Sequence, residues 1–291
     1  MSHSGLRRTI RSVAWPVGFS GSGFLVAFLI KKASPVPISR LEVSIIAFVV
    51  TSLCVLLLFP GVLQIPFGKV SIGAFVRRVG LSVPRRVHRH VLLGVVAAFL
   101  TLCGMLAGSI LSGKWTPSSD TITLAQAVFS LTPGLWEEVL FRGVLMIVLL
   151  RMTGSFRKAA VIQILLFGLG HIKGTDLVAF VDAFSVMGLA VAFTYIAYKT
   201  RSLIPGVVFH YLHDTFVFFP QLPEGEYSGF RDNALFFGGL WVGTALVVVS
   251  VKILAERWSI VSDFDLYGPP EPYSPLAPSA EQLVSSSSSS H

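Results

Sequence analysis

Residues 131–150 read LTPGLWEEVLFRGVLMIVLL, an apolar run interrupted by three charged side chains, Glu137, Glu138 and Arg142. A run of this length suits one bilayer crossing, which takes about 20 apolar residues. An ionisable group at the centre of such a crossing costs roughly 2.5–3.5 kcal/mol on insertion scales. The charges must therefore face something other than lipid. The rest of the chain decides for a membrane: 53% of the 291 residues are hydrophobic, 13% are charged, and mean hydropathy is +0.73. That exceeds what one soluble core of this size can bury. Windows of span length predict helices near 13–30, 43–64, 91–112, 123–150, 159–172, 177–199, 203–219 and 233–254. The expectation is an all-α, polytopic transmembrane bundle of about eight helices. The fifth window is short because Gly154, Arg157 and Lys158 precede it and Lys173 and Gly174 follow it.

The net charge of +8 does not point to nucleic acid, because the basic residues flank apolar spans and no aromatic–basic interleaving accompanies them. They report topology instead. With the N-terminus inside, 16 of the 22 Lys and Arg residues other than Arg142 fall on the cytoplasmic side, which predicts a multi-pass integral membrane protein oriented N-in, C-in. The first span follows Arg7, Arg8 and Arg11 but ends in Lys31 and Lys32 without a small-x-small cleavage site, so it is expected to be retained. Between spans two and three, Ile72, Phe75, Val76 and Val79 recur at helical spacing before Arg85, Arg86 and Arg89, which suits a short interfacial helix or, equally, a solvated basic loop that only sets topology. Cys54 and Cys103 lack any metal or redox spacing and read as small buried apolar residues. The domain expectation is a helical bundle over 1–260 and a disordered Pro/Ser-rich cytoplasmic tail over 261–291.

Two further spans carry unusual polar groups: Phe167-Gly168-Leu169-Gly170-His171 and His210-Tyr211-Leu212-His213-Asp214. Left isolated, all these groups would together cost on the order of 10 kcal/mol, comparable to the net stability of a whole protein. They are expected to share one wet, inward-facing site. Glu138 and Arg142 are four residues apart, so they lie on one helical face and can pair. Glu137 points about 100° away, which leaves it for chemistry. His210 and Asp214 share a face, His213 turns from it, and Phe167 lies one turn from His171. A carboxylate and imidazoles can take a proton from water while polar groups hold an oxyanion. They would equally suit a zinc site of two His and one Glu with an open position. No serine or cysteine stands in the same pattern as a nucleophile. The structural alternative is a polar packing network between helices.

The three motifs, Glu137-Glu138-x-x-x-Arg142, Phe167-x-x-x-His171 and His210-x-x-x-Asp214, resemble the CPBP intramembrane proteases, which include the type II CAAX prenyl endopeptidases and Abi-type bacterial proteins linked to bacteriocin processing or self-immunity. The likeness covers roughly residues 91–219. It implies an endopeptidase of membrane-associated or lipidated proteins and peptides. Glu137 and His171 would activate the water, His210 and Asp214 would stabilise the oxyanion, and Glu138 and Arg142 would support the site. Family members have been described both as glutamate-type enzymes and as metalloproteases. The cofactor is therefore none or zinc, with Glu137, His171 and His210 as the possible ligands. One departure stands out: position 214 is Asp, where the type II CAAX enzymes carry Asn. The expected partners are membrane lipid and a membrane-associated protein or peptide, with no nucleic acid. Two rivals remain at this level: a non-catalytic membrane scaffold or immunity protein, and a proton-coupled carrier. Against the carrier, no pair of interrupted helices occupies corresponding halves.

Overall fold

A computed structural model describes residues 39–63, 72–113, 115, 122–172, 174–175, 177–217, 230–262 and 266–268. Among these the chain is helical, with no strand. In order come α1 (Arg40–Val62), α2 (Ile72–Arg78), α3 (Val87–Leu111) and α4 (Leu124–Glu137). Without a break α4 runs through a π-helical segment, Glu138–Leu145, into α5 (Met146–Thr153). Then follow α6 (Phe156–Leu169), α7 (Leu177–Thr200), α8 (Ile204–Phe216) and α9 (Phe230–Arg257). Seven of the eight expected spans thus coincide with helical runs; the span over 13–30 lies outside the described residues, as does the tail from 269.

Helix ends follow local chemistry. The Thr123 hydroxyl accepts from the Gln126 N–H to start α4, and Ser155 does the same for Lys158 at the start of α6. Gly154, at φ +60°, ends α5 in the left-handed conformation that suits glycine. Pro205 stands in the first turn of α8, where its missing N–H is harmless.

Four stretches are long and apolar enough to cross a bilayer: Arg40–Leu57, Val87–Leu111, Ala179–Thr200 and Ala234–Arg257. Their outer faces are apolar as well. Val242, Leu246, Val249 and Ile253 stand exposed along α9, and Val49, Leu53 and Leu57 along α1. Cys103 is exposed on α3 and Cys54 half-buried on α1, so the expectation that both are buried is corrected. In a span, an outward face meets lipid and accommodates a small apolar residue without burial.

Helix α3 lies against both α8 and α9; α8 also packs on α4, α7 lies against α6 and α9, and α1 rests on α4. The α3–α9 crossing is set by Gly104, Gly108, Gly239 and Gly243, two G-x-x-x-G patterns face to face. A Cβ at Gly104 would run into the backbone of Gly239 and Gly243, and one at Gly239 into Gly104 and Gly108. Every residue of the π-helical segment is buried, so the charged run sits at the centre of the bundle. Helix α2 forms, yet Phe75 and Val79 insert into the core beside this segment instead of lying on a lipid surface. Packing also continues past the expected domain boundary at 261: Leu266 is fully buried, and Tyr267 packs against the same core.

Candidate active site

The π-helical register re-aims the charged side chains. In an α-helix the Met146 N–H would bond the carbonyl of Arg142; here it is shared between the carbonyls of Gly143 and Phe141, three and five residues back. Arg142 is fully buried, and its Nη1 donates to Glu138 Oε1 at 3.0 Å. The guanidinium carbon lies 4.2 Å from the Phe167 ring centre and 4.8 Å from that of Phe193. Its Nε and Nη2 have no hydrogen-bond partner among the described residues, and two aromatic faces are what the cation meets instead.

Glu138 does more than neutralise the arginine. Its Oε1 also accepts from His210 Nδ1 at 2.9 Å, joining the π-helical segment to α8. Gly206, one turn before His210, makes room for this carboxylate: a Cβ there would lie 3.2 Å from Oε2. Gly134 allows α4 to press on the backbone of Tyr211 in the same way. The His210 imidazole stacks on Phe193, with ring centres 4.8 Å apart and planes 26° apart. Its second nitrogen, Nε2, faces Asp214 Oδ2 at 3.5 Å and Glu137 Oε2 at 3.9 Å. The second distance exceeds a direct hydrogen bond, the case in which a bridging water is to be considered.

His171 follows α6 in a turn. Its Nδ1 donates to the Phe167 carbonyl at 2.7 Å, which orients the ring and leaves Nε2 as the nitrogen available to the site. Phe167, under both Arg142 and His171, is fully buried and holds the histidine ring 4.6 Å from its own. Glu137 lies within electrostatic reach of His210, His171 and Asp214. Side-chain exposure rises from 7% at His210 to 25% at Glu137 and 30% at Asp214, so the cluster opens on the side of these two carboxylates.

The structure therefore brings Glu137, Glu138, Arg142, His210 and Asp214 into one connected group, with His171 beside them across Phe167. Among the described residues no three His, Cys, Asp or Glu side chains form a group that could hold a metal ion. Glu137, His171 and His210 do not fit a zinc site as they stand, and no step below passes through a metal. Three participants escape the sequence reading. Phe193 is one apolar residue in a long apolar helix. Gly206 reveals its purpose only by what lies opposite. His213, expected to turn away, donates from Nδ1 to Asp214 Oδ1 at 3.3 Å and so holds that carboxylate.

Residues 119–216 match the family model for type II CAAX prenyl endopeptidase Rce1-like proteins. That stretch is what the chain shares with Rce1-like proteins. The matched stretch begins just before α4 and ends with α8, so it contains the charged segment, His171, Phe193 and the His210 helix. No curated protein and no solved structure matches the chain. With its apolar helices, this is an integral membrane protein.

Proposed function

We propose that this Rce1-like chain is an intramembrane endopeptidase that hydrolyses peptide bonds of membrane-associated or lipidated substrates with an activated water. The observation that carries the reading is the double contact of His210. Glu138 holds its Nδ1 while Nε2 is turned toward the two partly exposed carboxylates, Glu137 and Asp214.

In this mechanism a water between Glu137 and His171 Nε2 gives up a proton to the carboxylate as its oxygen attacks the scissile carbonyl carbon. The negative charge that develops on the carbonyl oxygen is met by His210, which donates from Nε2 when doubly protonated and is flanked by the Asp214 carboxylate. Glu138 and Arg142 supply no atom to the reaction. They fix the imidazole, as a fully buried ion pair with little freedom can. Collapse of the tetrahedral intermediate breaks the C–N bond, and the proton held by Glu137 passes to the leaving amine. The reading extends to topology: both chain ends and the segment between α1 and α3 are cytoplasmic, following the basic-residue bias.

The test compares peptides released by cells that carry the wild type with those released by cells that carry Glu137→Gln. Peptides with a common cleavage pattern, present only with the wild type, are expected. Identical peptide sets would favour the scaffold.

A further inference from the structure

Leu266 and Tyr267 lie beyond α9, yet they pack where the two halves of the site meet. The Leu266 side chain fills the space that a Cβ on Gly80 would occupy, and Leu203 borders the same spot. Gly80 has φ +80°. Its carbonyl accepts from the Leu203 N–H at 2.8 Å and from the Ser202 hydroxyl at 3.4 Å, which fastens the turn after α2 to the start of α8, the helix of His210. On its other side this turn touches the charged segment, since a Cβ at Gly143 would lie 3.2 Å from Val79. Leu266 thus closes over a junction that α2, α8 and the π-helical segment share.

Tyr267 completes the contact. Its ring lies 5.3 Å from that of Phe156, and its hydroxyl donates to the Arg142 carbonyl at 3.1 Å. That carbonyl has lost its α-helical donor, because the Met146 N–H goes to Gly143 and Phe141. Burial pushes the phenol pKa well above its ordinary value, against the nearby charge of Arg142, so the hydroxyl remains a donor.

We infer that Leu266 and Tyr267 form a clamp that fixes the Glu137–Arg142 segment against α8, and that Tyr267 is a positioning residue for hydrolysis. It touches no reacting atom. It acts through the Arg142 backbone on the register that presents Glu137 to the water and Glu138 to His210. The inference rests on the proteolytic reading above.

The full-length protein in phospholipid vesicles, with a farnesylated peptide ending in a CAAX sequence as probe, tests it. Tyr267→Phe keeps the ring and removes the hydroxyl. It is expected to lower kcat about five- to tenfold, the scale of one hydrogen bond, with KM unchanged and only a small drop in the thermal midpoint. Wild-type kcat in Tyr267→Phe, or a lower thermal midpoint with unaltered kcat, would overturn the inference. Failure of the proteolytic reading looks different: the wild type would cleave the probe no faster than Glu137→Gln, and the clamp would then have no reaction to serve.

Discussion

Two helix junctions meet in this bundle and are built on opposite principles. Where α3 crosses α9, four glycines let the two backbones approach each other directly. Where the π-helical segment meets α8, a glutamate, an arginine and a histidine are buried together, with Phe167 and Phe193 packed around them. Both junctions hold helices, but the first shows that this chain can make a close crossing from small residues alone. The second carries a desolvation cost that packing does not require. Buried charge that the architecture does not need is the mark of a group retained for what it does.

The largest effect is expected at the charged junction. Glu138→Gln leaves Arg142 uncompensated between aromatic rings, a loss of about 3–5 kcal/mol for a buried pair deprived of one partner. Thermal unfolding in lipid should show it. Replacing both members, Glu138→Gln with Arg142→Met, should recover most of that stability without restoring turnover. Full turnover in the double variant would erase the distinction between the two junctions.

A smaller effect is expected at the glycine crossing. Gly239→Val forces side-chain atoms against the Gly104 and Gly108 backbone, and overpacking of this kind costs about 1–3 kcal/mol. Activity per folded molecule should stay at the wild-type level, because no reacting group lies there. If turnover fell while the thermal midpoint held, the α3–α9 crossing would belong to the site after all.

The smallest effect is expected at Asp214. Its Oδ1 accepts from His213 and its Oδ2 faces His210. An asparagine can keep the first contact and offer a permanent N–H at the second position. Asp214→Asn should therefore retain turnover, as steady-state rates measured across pH with and without a chelator would show. Activity absent at every pH, together with loss of wild-type activity on chelation, would instead make Asp214 a metal ligand.

The fold was largely legible because lipid demands continuous apolar helices, and their windows can be counted along the chain. The pairing of Glu138 with Arg142 was legible because it is local. The contacts of the site that span distant helices were not. Glu138 reaches His210 across 72 positions, and no periodicity within one helix encodes that. The division between the two glutamates rested on 3.6 residues per turn, whereas the segment that begins at Glu138 winds as a π-helix. Phe193 has no polar neighbour in sequence to mark its face. Leu266 and Tyr267 were hidden by the Pro- and Ser-rich stretch that follows them. The paired G-x-x-x-G motifs stood in plain sequence, but their meaning depends on α3 and α9 being neighbours.

The central claim is that Glu137, poised beside the buried cluster, activates the water. Its most direct test is single-turnover cleavage by purified wild type and Glu137→Gln in identical vesicles, with thermal midpoints measured alongside. The account predicts the same midpoint and a cleavage rate lower by about 10²–10⁴-fold, the usual contribution of a general base. Equal rates from two equally folded proteins would contradict it.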